Sequence, residues 1–252
     1  MSNEIREAFL NRQEPVRLNK YLSEAGVCSR READRLIESG KVTVDGQRAQ
    51  TGMKICPGQE VRVGRKVVSR QDEMVVLAVN KPRGIVCTEE KRERNSIVRF
   101  LDYPIRVTYI GRLDKDSRGL LLMTNNGDII NRMMRAANHH EKEYKVTVDH
   151  EITGEFLEKM AGGVAILDTV TRPCTVEKLG KYTFSIILTQ GLNRQIRRMC
   201  RTLGMDVTSI KRVRVANITL GRLTPGNYRL VEKEELQELY RIAGAKGVPT
   251  WR

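Results

Sequence analysis

The segment Gly111-Arg112-Leu113-Asp114-Lys115-Asp116-Ser117-Arg118-Gly119-Leu120 sets an aspartate inside a glycine-bounded turn with basic residues on both sides. Nearby cations favour the charged form of a carboxylate, which makes Asp114 available as a nucleophile at neutral pH. A salt-bridged surface turn has the same local composition, so the other motifs must decide between the two. Asp116 offers a second carboxylate, as a two-carboxylate hydrolase needs. Glycosidases, however, carry their carboxyls on separate segments, about 5 Å or more apart, whereas Asp114 and Asp116 share one turn. His139-His140-Glu141 invites comparison with a metal site. That spacing does not align ligands on one helical face, and no second cluster completes a coordination shell. Cys28, Cys56, Cys87, Cys174 and Cys200 are scattered, with no C-x-x-C pair. They read as reduced thiols of a cytoplasmic protein, not as a disulfide framework or a zinc knuckle.

A second chemical element is the run Gln190-Gly191-Leu192-Asn193-Arg194-Gln195-Ile196-Arg197-Arg198-Met199-Cys200. Arg194, Arg197, Arg198 and Arg201 recur at i, i+3, i+4, i+7, and Ile196, Met199, Cys200 and Leu203 form the opposing apolar stripe. Such a helix buries one side and presents guanidiniums on the other, with Asn193 as the expected N-cap. Like charges on one face repel unless an anion answers them. The candidates are RNA phosphate and the Asp114 carboxylate.

These residues need elements to hold them. Met74 to Val79 is an apolar run of strand length, followed by a Lys81-Pro82-Arg83-Gly84 turn. Val107 to Ile110 leads as a strand into the Asp114 turn, and Leu120 to Met123 leaves it. A helix carrying Ile129, Ile130, Met133 and Met134 follows, then a strand from Lys145 to Val148 beside Tyr144. Glu232 to Ile242 closes the chain as a helix. In front, residues 16–63 form a compact unit. Leu18, Leu22 and Ala25 recur at helical spacing up to Gly26. Ser29-Arg30-Arg31-Glu32 fits a capping box opening a second helix, with Arg30, Arg31 and Arg35 as a basic shoulder. Asp45-Gly46 marks a hairpin. Residues 1–15 read as a leader and 64–73 as a linker, leaving 74–252 as the larger domain.

The front unit resembles the α-L RNA-binding domain of small-subunit ribosomal proteins, through Val16-Arg17-Leu18-Asn19-Lys20-Tyr21-Leu22 and Gly26-Val27-Cys28-Ser29-Arg30-Arg31-Glu32-Ala33. The Lys-Pro-x-Gly turn, the Gly-Arg-Leu-Asp turn, the Lys142-Glu143-Tyr144 element and the Gln-Ile-Arg helix resemble, in that order, the motifs of the RsuA/RluB/RluE/RluF group of ribosomal RNA pseudouridine synthases. The details are nearest to its RluF branch, which modifies 23S rRNA. The resemblance implies an α+β fold: a small RNA-binding domain, then a catalytic domain built on a mixed, mainly antiparallel sheet with flanking helices. It implies Asp114 as nucleophile, Tyr144 stacking on the target base, and Arg197 pairing with Asp114. It places Arg112 in the space vacated by the flipped base, Ile196 against that base and Lys81 at the substrate. RNA contacts are expected from Arg17, Lys20, Ser29, Arg30, Arg31, Arg35, Arg194, Arg198 and Arg201. The reaction implied detaches a uracil and rejoins it through a ring carbon, with no cofactor and no metal. The expected partner is RNA: 23S rRNA, with tRNA as a second candidate.

Composition agrees with that partner. The 252 residues carry a net charge of +14, which favours polyanions. Positions 1–70 hold 14 basic and 9 acidic residues, a net of +5, so the remainder carries +9 and both parts are basic. No apolar run approaches the ~20 residues that span a bilayer. The expected state is a monomer away from the membrane. The competing reading is a non-enzymatic RNA-binding assembly factor, which needs the basic surfaces but not Asp114 or Tyr144.

Overall fold

The computed structural model describes residues 15–69, 74–90, 92–135 and 139–244. The expected leader lies outside these residues, apart from Pro15.

The front unit runs β1 (Val16–Arg17), α1 (Leu18–Glu24), α2 (Arg30–Glu38), β2 (Val42–Val44), β3 (Gln47–Arg48), β4 (Lys54–Ile55), β5 (Val61–Val63) and β6 (Lys66–Val67). Gly26, at φ 76°, ends α1, and Val27 N–H closes back on Leu22 O. Ser29 caps α2 by accepting from Glu32 N–H at 3.3 Å. Asp45 and Gly46 both take positive φ, the backbone that a two-residue hairpin turn requires. Strands β3-β2-β5-β6 form one sheet. Leu18, Leu22, Ala33, Ile37, Val42, Val44 and Val61 fill the core beneath it. The expected linker starts too early. Residues 66–67 pair with β5, and Val68 is buried in this core, so the unit reaches at least residue 68. Val68 N–H donates to Val61 O at 2.8 Å, which carries the hairpin past Val67.

The second unit runs β7 (Val76–Lys81), α3 (Ile97–Leu101), β8 (Thr108–Ile110), β9 (Arg118–Thr124), α4 (Gly127–Met134), β10 (Lys142–Val148) and α5 (Gly154–Gly162). It continues with β11 (Ala165–Ile166), β12 (Thr169–Val170), β13 (Thr175–Gly180), β14 (Thr183–Leu188), α6 (Gln195–Thr202), β15 (Val207–Val215), β16 (Ile218–Thr219), β17 (Tyr228–Leu230) and α7 (Lys233–Ile242). Nine strands make one sheet in the order β13-β14-β10-β15-β9-β7-β17, with β8 on β9 and β16 on β15. Only β9–β15 is parallel; the sheet is mixed and mainly antiparallel.

β7 is buried on both faces, which is why it reads as an unbroken apolar run. Val76 and Ala78 face a cluster with α4 and α7, while Leu77 and Val79 face one with α3. This is the period-two alternation of a strand. The other half of the sheet packs Val146, Phe184 and Ile186 against α5 and α6. The parallel β9–β15 seam joins the two halves, and the Asp114 turn enters the sheet there.

Candidate active site

The Asp114 turn is held from below and from one side. Ser117 N–H donates to Asp114 O at 3.1 Å, which closes the turn. The Lys81-Pro82-Arg83-Gly84 loop then grips it. Lys81 Nζ donates to Ser117 O and Pro82 O at 2.9 Å, Gly84 N–H to Lys115 O at 2.9 Å, and Arg83 Nε to Asp116 O at 3.1 Å. Lys81 is 0% exposed. Its amine is spent on the turn's own carbonyls and supports the turn, where a substrate contact was expected. Burial pushes its pKa down, while Cys87, Asp114 and Asp116 pull the other way. Leu113 is anchored in the core, with its N–H on Cys87 Sγ at 3.5 Å. Asp114 itself is half-buried, and no hydrogen bond or ion pair engages its carboxylate among the described residues.

Arg212 is the residue that motif reading missed. It is 2% exposed and braces the turn from underneath. Its Nε donates to Leu120 O at 2.7 Å and its Nη1 to Arg112 O at 3.5 Å, while Nη2 is buried without a partner. A buried guanidinium needs geometry this close to be retained. The signal was an arginine in an alternating strand, with nothing in its spacing to say that it faces inward. Gly119 makes this seam possible. Its φ is +105°, and a Cβ there would lie 2.2 Å from Arg212 O and 2.7 Å from Arg212 N.

Across the sheet Gly119 pairs with Arg212, and Arg212 with Tyr144. Tyr144 thus sits in the same row as the end of the Asp114 turn, about two strand spacings, roughly 10 Å, away. Its ring is half-buried and packs against both sheet clusters, one containing Leu113 and the other Ile196. Ile196 is 5% exposed, so the structure makes it a core residue beneath the cleft. Arg112 is exposed on the turn.

Arg197 faces the same region without touching it. Its Nη1 donates to Val207 O at 3.0 Å, and Nε and Nη2 are buried without partners among the described residues. Burial pushes its pKa down first, then Arg194; Asp116 and Asp114 oppose this, which places both carboxylates in its field. No ion pair with Asp114 forms here, contrary to the expectation: the Val207 carbonyl holds the side chain instead. Asn193 is not the cap of α6. Arg194 occupies that position at φ 50°, and Asn193 instead accepts from Arg198 through its backbone and side-chain oxygens at 3.0 and 3.2 Å. Arg201 pairs with Asp206 at 3.1 Å. Within the front unit Arg17, Arg30 and Arg31 are exposed and have no ion pair among the described residues, and Arg35 lies beside Glu32 at 3.5 Å. Two expected RNA contacts are already engaged. Ser29 serves as the cap, and Lys20 Nζ bonds Asp128 at 2.9 Å on the second unit and lies 3.4 Å from Glu24. His140 is buried, its pKa pushed down by desolvation. Among the described residues no three potential ligands gather around a metal position, and no helix is long and apolar enough to cross a membrane.

Comparison with known proteins shows the family. Residues 75–202 match the RNA pseudouridylate synthase family and residues 16–61 the S4 domain. The dual-specificity RNA pseudouridine synthase RluF of Salmonella typhi is 50% identical over 90% of this chain and 79% of its own. The chain belongs to the RNA pseudouridine synthase family. It is of the RluF type, an isomerase that binds RNA and converts uridine to pseudouridine. RluF of Escherichia coli K12 is 49% identical over the same shares. An uncharacterized RNA pseudouridine synthase of Aquifex aeolicus is 34% identical over 94% of this chain and 98% of its own. A solved pseudouridylate synthase, 27% identical, superposes with a TM-score of 0.66 over 89% of this chain and 99% of its own.

Proposed function

We propose that this synthase modifies a uridine of 23S rRNA, with tRNA as a second substrate, as a monomer. Asp114 is the nucleophile, Tyr144 the stacking platform and Arg197 the cation that meets Asp114 once RNA is bound. The carrying observation is the Asp114 carboxylate: half-exposed, unengaged, and held over two buried cations, Lys81 and Arg212, that fix the turn through its carbonyls. A nucleophile must be free of strong partners yet immobile, and this arrangement provides both. Extracting the target base from a structured RNA costs a few kcal/mol. Exposed Arg112 at the mouth of the turn fills the vacated stack. Arg17, Arg30 and Arg31, exposed and without an ion pair among the described residues, hold RNA phosphates, with Arg35 beside them. The RluF-type resemblance supports 23S rRNA, and the words "dual-specificity" in the names of the 50% and 49% identical relatives support a second RNA.

The test is a pseudouridine map of 23S rRNA and tRNA from cells with and without the gene. Loss of one 23S site, restored by the wild-type chain and not by Asp114→Asn, is expected. An unchanged 23S map refutes that substrate.

A further inference from the structure

A cavity of about 460 Å³ lies between the arginine stripe of α6 and the β11–β12 hairpin, and no motif marks the hairpin side. Its two walls differ in kind. One is cationic: Arg194, Arg197, Arg198 and Arg201, offset by Asp206. Arg201 is answered by Asp206 and Arg198 by Asn193. The Arg194 side chain has no partner among the described residues, whereas Arg197 is held by Val207 O and faces Asp114. A cation without a counter-charge at the wall of a cavity favours an anionic ligand.

The other wall is apolar: Ala165, Ile166 and Leu167. Register pairs Ala165 with Val170 and Ile166 with Thr169, which leaves a two-residue turn. That turn is Leu167-Asp168, at φ 48° and 57°. Such turns favour Asn-Gly, and a leucine there is strained by about 1–2 kcal/mol. The hairpin base tolerates this because it is fixed. Ile166 is buried in the core, and Val164 and Thr171 exchange hydrogen bonds at 2.9 and 3.0 Å. The result is a leucine 46% exposed, held out on a rigid base above a nest of arginines.

An anion alone needs no apolar wall, and an apolar ligand needs no arginines. A nucleotide needs both. We propose that this cavity seats one nucleotide of the substrate RNA flanking the target uridine, its phosphate on Arg194 and its base against Leu167. Leu167 is thus a specificity and positioning element outside the cleft of Asp114 and Tyr144. The proposal rests on the 23S reading only for its choice of probe.

The test uses the full chain and an in vitro 23S rRNA transcript, measuring binding against salt and steady-state turnover. Leu167→Asn suits the positive φ and removes the apolar contact. It should keep or raise the melting temperature and weaken binding about tenfold, the loss of one base contact, with an unchanged salt slope. Arg194→Asn, equally suited to its φ, should lower the slope by about one. Wild-type binding and slope in both variants overturn the proposal. If the wild-type chain binds the transcript but does not modify it, the 23S reading fails, while the binding data still decide the cavity.

Discussion

Gly119→Ala tests whether the seam between β9 and β15 sets the active site. The new Cβ would lie 2.2 Å from Arg212 O, more than 1 Å inside ordinary contact, and φ there is +105°. Neither atom is a flexible side-chain end, so the strands must part by about 1 Å. The strained φ costs about 1–3 kcal/mol. Loosening the ladder at Lys211–Arg118 and Arg212–Gly119 and the Arg212 bond to Leu120 O adds about 2–4 kcal/mol. Together this is a large part of the ~5–15 kcal/mol that holds most domains. In molecules that remain folded, Asp114 shifts against Tyr144, and a displacement of that size lowers the chemical step about a hundredfold. Binding through the front unit, remote from the seam, should change little. Urea denaturation, filter binding and single-turnover pseudouridine formation read the three effects separately. Gly154→Ala is the control, because its Cβ meets nothing within 4 Å. Wild-type stability and turnover in Gly119→Ala would refute the claim that this close approach positions the nucleophile.

Three further outcomes are expected. Arg197→Lys should lower the chemical step at saturating RNA, because a lysine cannot offer a carboxylate two parallel bonds, while Arg201→Lys, at an exposed ion pair, should stay near normal; equal rates for both would remove Arg197 from the chemistry. Deleting residues 1–69, the whole front unit including β6 and Val68, should weaken RNA binding and flatten its salt dependence by roughly one unit per lost phosphate contact; an unchanged slope would take that unit off the RNA. Burial pushes the Cys200 thiol up to about 12 from 9.0. The unfolded chain therefore binds fewer protons above pH 9, and this thiol's contribution to stability falls from about pH 9 to 12 by up to about 1.4 kcal/mol per pH unit. Urea midpoints across the alkaline range should fall less steeply for Cys200→Ala than for the parent.

Much of this architecture was legible because its signals are local. Asp45-Gly46 is a turn by backbone preference, β7 an apolar run because both its faces are buried, and Asp114 conspicuous for its neighbours. What escaped depends on partners distant in sequence. Lys81 is a buried tie because Ser117 O, 36 residues on, comes within reach of its Nζ. Ser29 and Lys20 look like free RNA contacts until the helix N-terminus and Asp128 claim them. Ile196 and Arg197 are neighbours on α6, yet one belongs to the core and the other is held by Val207 O. The β11–β12 hairpin had no sequence signal, since Leu167-Asp168 is not a turn that composition favours. Arg212 was one basic residue among seven between Gly191 and Val215; only strand register shows it lying under the Asp114 turn.

Asp114 is proposed to perform the chemistry from a turn held in place by its surroundings. The most direct measurement is pseudouridine formation by purified Asp114→Asn, an isosteric change that removes only the nucleophilic charge, with Asp116→Asn alongside. The account predicts no product from Asp114→Asn, with folding and RNA affinity near wild type, and a mild loss at most from Asp116→Asn. Substantial turnover by Asp114→Asn would contradict it.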